Sequence, residues 1–430
     1  MPEVIRFIDL FAGIGGIRKG FELACKDLNI KSQCVFTSEI KPHAISVLNQ
    51  NHPNEMVYGD ITKIASTDIP DFDYLLAGFP CQAFSAAGKR LGFEDTRGTL
   101  FFEVARILKD KSPSGFVLEN VEGLVNHDKQ DRDDPIGKTL STILNTLTDL
   151  GYYVSWQLLN AKDFGVPQDR KRVYIVGSRI NNLELSGFKH KRRKLKDILD
   201  YGLPPSDHPF VKILLKHFSV AELNGKSIKD KRGGSDNIHS WDLEIKGQVS
   251  SKQKALLDSM MTERRKKKWA LIYGIDWMDG MPLTLEMIES FWGKDPELIT
   301  MLEDLTAKKY LVKEHPKKRL ENGQRQEDYN LPIGYNIVAG KMSYEVSKVL
   351  DPNDIAPTLV AMDMQHLYVP DGEGIRKLSL REGLRLFGYP ESFKFKVNQS
   401  DGYDLLGNTV VVPVIKEVSK RLLISDMQTQ

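Results

Sequence analysis

The chain is poor in cysteine, with only Cys25, Cys34 and Cys81 among 430 residues. Three thiols cannot all pair, which excludes a disulfide scaffold and leads us to expect a reducing, intracellular compartment. No Cys/His cluster has metal-ligand spacing, so no metal is expected. Any apolar run of membrane length and any signal-peptide pattern are also missing, so we expect a cytoplasmic protein with no membrane partner. Charge of one sign is lacking too: 60 Lys+Arg stand against 58 Asp+Glu, a net +2, which neither demands nor excludes a polyanionic partner. What remains, 41% hydrophobic and 27% charged residues, is the composition of a globular protein. At 430 residues the chain exceeds one ordinary core, so two domains or one enlarged α/β domain are expected.

The most regular feature present is alternation. Val4 to Ile8 reads as a strand, Phe11-Ala12-Gly13-Ile14-Gly15-Gly16 as a glycine-rich turn, and the following residues as a helix with Ile17, Phe21, Ala24 and Leu28 on one face. Cys34-Val35-Phe36-Thr37 is the next strand, and Pro42 suits the first turn of the helix after it. Further strands are expected at Met56 to Gly59, Tyr74 to Gly78, Phe116 to Leu118, Val154 to Leu159 and Val173 to Val176. Leu140, Ile143, Leu144, Leu147 and Leu150 repeat at helical spacing, with Gly151 as C-cap candidate. This pattern predicts an α/β fold, a mostly parallel sheet with helices on both faces.

After Gly177 the alternation stops. Basic runs at His190 to Lys194 and Arg264 to Lys268, and polar glycine-bearing stretches such as Gly225 to His239, mark a different region. The basic runs read either as solvated faces or as phosphate contacts. Order returns with the capping box Ser379-Leu380-Arg381-Glu382, then Gly407-Asn408-Thr409-Val410-Val411 and a helix carrying Val414, Ile415, Val418 and Leu422. That apolar face needs a partner, and the first domain is the simplest one. We therefore expect a discontinuous first domain over 1–185 and 400–430, a smaller irregular second domain over 186–378, and a connecting hinge over 379–399.

Several reactive side chains fall where strands end, the place open α/β sheets reserve for ligands. Cys81 follows Phe79-Pro80 and precedes Gln82. Pro80 has a fixed φ and stiffens the turn, so Cys81 is either a presented nucleophile or an inert buried thiol. The glycine turn suits close approach of a nucleotide-like ligand, but its spacing is not G-x-G-x-x-G. Glu39 and Asp60 end the second and third strands. Two carboxylates would repel a pyrophosphate yet suit an adenosine carrying a positive sulfonium. Glu119-Asn120-Val121 follows another strand, and Gln168-Asp169-Arg170-Lys171-Arg172 precedes one.

Together, the glycine turn from Phe11, Pro80-Cys81-Gln82, Glu119-Asn120-Val121, Gln168-x-Arg170-x-Arg172 and Gly407-Asn408-Thr409-Val410-Val411 resemble, in order, the motif set of the DNA (cytosine-5)-methyltransferases. The match covers 4 to about 180 and about 355 to 423. The resemblance implies Cys81 as nucleophile on cytosine C6, Glu119 as the acid at the ring's N3 and N4 edge, and Arg172 against the base with Arg170 in support. It implies S-adenosylmethionine as cofactor and S-adenosylhomocysteine as product. The cofactor would be held by Phe11, Ala12, Gly13, Gly15, Gly16, Glu39, Ile40, Asp60, Ile61, Pro80, Leu100, Asn408 and Thr409. Ile40 replaces the aromatic of some relatives, and Ala83 stands where many have Pro. The base must leave the duplex to react, and the segment Phe84 to Arg97 resembles the loop that closes over it. Gln82, Ser85, Lys89, Arg90, Arg97, Gln168, Thr358 and Leu359 are the expected DNA contacts. A tRNA-methylating relative and a non-catalytic DNA-binding protein on the same scaffold stay open. The resemblance implies that 1–185 with 400–430 is the catalytic, cofactor-binding domain and that 186–378 is a target-recognition domain, and the length of that middle region favours double-stranded DNA. A stand-alone architecture without a regulatory extension suggests a monomeric prokaryotic or phage modification enzyme. Its cognate restriction endonuclease would share the target sequence without a stable complex. The recognition sequence cannot be read from these residues.

Overall fold

The computed structural model describes residues 4–80, 100–129, 131, 133–230, 233–275, 280–320, 324–338 and 344–428. Two compact units divide the chain: Met1–Asp200 with Pro352–Gln365 and Leu378–Gln430, and Tyr201–Asp351 with His366–Lys377.

The first unit is built on a seven-stranded sheet. Its strands are β1 Val4–Leu10, β2 Lys31–Ser38, β3 Val57–Tyr58, β4 Tyr74–Ala77, β5 Gly115–Val121, β6 Tyr153–Asn160 and β7 Lys171–Ser178, in the order β3-β2-β1-β4-β5-β7-β6. The five strands from β3 to β5 run parallel, and β7 is antiparallel to both β5 and β6. β4 is buried along its whole length and β5 over its first six residues. This is why both read as unbroken apolar runs: helices cover the two faces of the sheet. Among those helices are α1 Gly16–Asp27, α2 Pro42–Asn51, α3 Leu100–Lys111 and α4 Lys138–Asp149. Going outward from the β1/β4 pair, the chain order runs in opposite directions. The crevice at the carboxyl ends of β1 and β4 is therefore the switch point at which such sheets bind ligands.

The second unit holds two apolar cores. One packs Val211, Leu214, Tyr344, Tyr368 and Ile375 among α5 Pro209–His217, α6 Val220–Leu223, β8 Ser227–Ile228 and β9 Asn237–Ile238. The other gathers Leu256, Trp269, Ile288, Leu302 and Leu311 from α7 Ser251–Glu263, α8 Lys267–Ile272, α9 Leu285–Trp292, α10 Leu298–Ala307 and β10 Leu311–Glu314, with Trp241 and Tyr310 added from the connections. The strands β11 Lys317–Arg319, β12 Arg325–Glu327 and β13 Gly334–Ile337 follow, and then β14 Lys348–Val349, β15 Leu367–Asp371 and β16 Gly374–Lys377. The last three complete a five-stranded sheet in the order β16-β15-β14-β8-β9.

The chain returns to the first unit through α11 Leu380–Leu386, α12 Gln399–Gly407 and α13 Val412–Met427. α13 buries Val414, Ile415, Val418 and Leu422, each burial worth about 1.5–3 kcal/mol. Its partner is α1, where a Cβ on Gly20 would lie 2.5 Å from Ile415. Only glycine allows that approach.

Three boundaries move relative to expectation, and one of them returns Pro352–Gln365, expected in the second domain, to the first unit. The first unit extends to Asp200, because Leu195 and Lys196 donate backbone N–H to Asp354 and Pro352 and the Asp200 N–H reaches Glu382 (2.8 Å). Residues 379–399 are part of that unit rather than a hinge, with Arg385 paired to Asp200 at 2.7 Å. The basic run at 264–268 is not a uniformly charged surface either. Arg264 is buried and donates to Asn336 Oδ1 (2.6 Å), and Lys266 and Lys268 pair with Glu263.

Candidate active site

At the switch point lies a cavity of about 600 Å³. The turn after β1 forms one wall: Phe11, Gly13 and Gly15 all take positive φ, at 54°, 55° and 80°. The same turn is pinned from β2. Glu39 accepts the Gly13 N–H at 2.7 Å through one oxygen and the Ile40 and Lys41 N–H groups at 2.8 Å each through the other. Asp60 caps the short turn after β3 by accepting from Thr62 N–H and hydroxyl, and this holds its carboxyl below the usual range. Phe11 and the largely exposed Ile40 offer apolar surface on the same cavity.

Glu119 and Arg172 line the same cavity. In the antiparallel β5–β7 register Glu119 lies across from Tyr174 and Val121 across from Arg172. Glu119 and Arg172 are thus diagonal neighbours on one face, within reach of long side chains. The Arg172 Nε stands 3.2 Å from Glu119. Burial pushes the Glu119 carboxyl upward, and the Arg172 and Arg170 charges pull the other way. Arg170 is wholly enclosed: it donates to the carbonyls of Leu359 (2.6 Å), Gly407 (3.3 Å) and Thr409 (3.0 Å). Burial and the neighbouring Arg172 lower its pKa to about 9. This clamp joins the start of β7 to the backbone at Leu359 and to the Gly407–Thr409 segment, the latter lining the cavity.

Of the residues expected to hold a cofactor, Phe11, Gly13, Glu39, Ile40, Asp60, Ile61, Pro80, Leu100, Asn408 and Thr409 line the cavity, as do Glu119, Arg170 and Arg172. Ala12, Gly15 and Gly16 do not. Gly16 instead allows close packing, since a Cβ there would meet the Tyr389 hydroxyl at 2.6 Å, and that hydroxyl shares a 2.6 Å hydrogen bond with Thr409.

Among the expected DNA contacts two are corrected. Gln168 is fully buried, its amide donating to the Leu386 carbonyl (2.9 Å). The Leu359 side chain is fully buried too, while its backbone carbonyl accepts from Arg170 and its N–H donates to Gln168 Oε1 (3.4 Å). Thr358 is exposed and donates its hydroxyl to the Asp169 carbonyl (2.6 Å). Cys81, Gln82, Ser85, Lys89, Arg90 and Arg97 lie outside the described residues, although Pro80, the neighbour of Cys81, lines the cavity.

Two contributors had no assigned role from sequence. Asn120 ties β5 to the Phe79 carbonyl (3.4 Å), and its place within Glu119-Asn120-Val121 was the available signal. Lys41 lines the cavity and pairs with Asp404, a partner far away in sequence that no local signal announces. Among the described residues no group of three or more His, Cys, Asp and Glu is placed to hold a metal, and no helix is long and apolar enough to cross a membrane.

The ordered motifs that build this cavity match the model for C-5 cytosine-specific DNA methylases over residues 5–423. The chain belongs to that family. Within it, this cytosine-specific methylase is 63% identical to the type II methyltransferase M.NlaIV of Neisseria lactamica, over 98% of this chain and 99% of that protein. It is 41% identical to M.BanI of Aneurinibacillus aneurinilyticus, over 97% and 95%. Solved structures share its fold. The Entamoeba histolytica methyltransferase EhMeth aligns over 100% of both chains with a TM-score of 0.55 at 16% identity. A DNA modification methyltransferase encoded within an E. coli prophage aligns over 98% of this chain and 99% of its own with a TM-score of 0.52 at 20% identity. The sheet is α/β and mostly parallel, the fold of an S-adenosylmethionine-dependent methyltransferase.

Proposed function

We propose that the protein methylates C5 of a cytosine flipped out of a specific double-stranded DNA sequence, as the modification enzyme of a restriction–modification pair. The observation that carries this reading is the pairing of Glu119 with Arg172 (3.2 Å) in the same cavity as Phe11, Glu39, Asp60 and Pro80. The type II methyltransferases related to it over nearly their whole length support the restriction–modification setting.

The cavity fits S-adenosylmethionine on its own chemistry. Phe11 and Ile40 supply apolar surface for a purine, while Glu39 and Asp60 supply acceptors for a ribose and an exocyclic amine. Two carboxylates suit a cationic ligand and disfavour a pyrophosphate. When bound, the cofactor supplies a sulfonium methyl group.

The remaining chemistry belongs to the chain. The Cys81 thiolate adds to C6 and breaks the C5–C6 double bond, which makes C5 nucleophilic. Glu119, kept protonated to higher pH by burial, donates toward N3 as negative charge develops there. Arg172 orients Glu119 and the base, and Arg170 holds the walls. After methylation C5 loses its proton and Cys81 leaves by β-elimination. We place the enzyme in a bacterial cytoplasm as a monomer that forms no stable complex with its nuclease. Transfer of labelled methyl groups to duplex DNA, with tRNA as competing substrate, tests the reading: DNA should be labelled and tRNA not. Preferential labelling of tRNA, or no labelling of either, would overturn it.

A further inference from the structure

We infer that Tyr389 is a positioning residue for the cofactor: its hydroxyl fixes the Thr409 side chain in the cavity wall and leaves the Thr409 hydroxyl proton free for a bound ligand. The inference rests on the cavity holding S-adenosylmethionine. Thr409 lines that cavity and Tyr389 does not, so Tyr389 acts through its neighbour. The two hydroxyls share a buried hydrogen bond of 2.6 Å.

Each partner is anchored without help from the other. Tyr389 follows α11, and its N–H donates to the Leu384 carbonyl (3.0 Å). Its ring packs against Phe393, with centroids 4.5 Å apart. Thr409 follows α12, with its N–H on the Leu406 carbonyl (3.2 Å) and its own carbonyl accepting from Arg170 (3.0 Å). These contacts hold both backbones but leave the Thr409 χ1 rotamer undecided. Threonine carries a methyl and a hydroxyl on Cβ, and a turn of one staggered well changes which of them is presented. The bond to Tyr389 selects one well. The pair also lies against the first residue of α1, where a Cβ on Gly16 would come within 2.6 Å of Tyr389 Oη and 3.0 Å of Thr409 Oγ1.

The polarity of the bond follows from burial. A phenol has one proton to give, and burial raises the Tyr389 pKa above its usual range, so that proton stays in place. Thr409 Oγ1 is the hydrogen-bond partner of the phenol among the described residues. Were Thr409 the donor, the Tyr389 proton would be buried without an acceptor, the costlier arrangement. Tyr389 therefore donates and Thr409 accepts. The Thr409 proton remains for another acceptor. Glu39 and Asp60 bring acceptors to the cavity, whereas the carboxylate and ribose oxygens of S-adenosylmethionine need donors. A hydroxyl whose rotamer and polarity are settled before the ligand arrives loses little freedom on binding it.

The test is a double-mutant cycle on the full-length protein, with S-adenosylmethionine affinity measured by calorimetry. Tyr389→Phe keeps the ring and should raise the cofactor Kd about three- to tenfold, the size of one hydrogen bond, with DNA affinity as in wild type. Thr409→Val removes the hydroxyl through which Tyr389 acts, so adding Tyr389→Phe to it should leave Kd unchanged. Thr409→Ser keeps a hydroxyl, and in that background the loss caused by Tyr389→Phe should return. An unchanged Kd in Tyr389→Phe alone would overturn the inference. So would an equal loss with and without the Thr409 hydroxyl, because Tyr389 would then act by another route. Parallel weakening of DNA and cofactor binding would make Tyr389 a general packing residue and overturn it as well. Failure of the wild type to bind S-adenosylmethionine is a separate result: it would defeat the cofactor reading itself, and the inference with it.

Discussion

The Arg172 guanidinium meets the Glu119 carboxylate at 3.2 Å, with both side chains largely shielded from solvent. Two opposed effects meet there: burial disfavours the ionised carboxyl and the arginine favours it, with burial the larger. Glu119→Gln keeps the shape but removes the proton donor, so the methylation rate should fall on the order of 10²–10⁴. Single-turnover methylation checks this, and an unchanged rate would move the acid to another residue.

The same pair predicts a pH shift. Wild-type turnover that needs protonated Glu119 is present at low pH and declines as pH rises through the raised pKa. Arg172→Gln removes the cation that pulls this pKa down. The residual activity of the variant should therefore hold to higher pH than that of wild type. A falling limb displaced to lower pH would contradict the pairing.

Phe11→Ala and Asp60→Ala should each raise the cofactor Kd by about tenfold or more, about 1.4 kcal/mol, and leave DNA affinity close to wild type. Equilibrium binding of both ligands checks the assignment. Equal loss of both affinities would mean that this end of the cavity does not hold the adenosine.

Much of the first unit is legible in sequence because its signals are local. Buried strands such as β4 and β5 are short unbroken apolar runs, and α4 and α13 show their spacing plainly. The capping box at Ser379 and Glu382 is present as read, both hydrogen bonds included. The antiparallel direction of β7 is not local, since a strand's composition does not encode its orientation. Gln168 reads as exposed because glutamine usually is, yet its partner Leu386 lies 218 residues away. Arg170 likewise finds carbonyls 189 and 239 residues distant. In the second unit, strands as short as β8, β9 and β14 carry too few residues to show alternation.

A further long-range contact governs stability. Asp426 on α13 accepts from Tyr74 of β4 (2.7 Å) and Ser178 of β7 (2.5 Å), and burial raises its carboxyl pKa. The stability it confers is full below the ordinary carboxylate pKa of about 4 and is lost as pH rises through the raised folded value. Asp426→Asn removes that titration along with one acceptor, at a cost of about 1–3 kcal/mol at low pH. Denaturant midpoints should show the gap between wild type and variant narrowing from acid to alkaline pH. A widening gap would contradict the raised pKa.

The central claim is methyl transfer to cytosine C5 of a specific duplex sequence by way of Cys81. Its most direct test is bisulfite sequencing of plasmid DNA from a host without cytosine methylation of its own, expressing either wild type or Cys81→Ser. Wild type should protect cytosines at one position of a single recurring sequence. The serine variant should protect none, because a hydroxyl is a far weaker nucleophile at neutral pH. Absence of protected cytosines with wild type, or the same pattern with both proteins, would contradict the account.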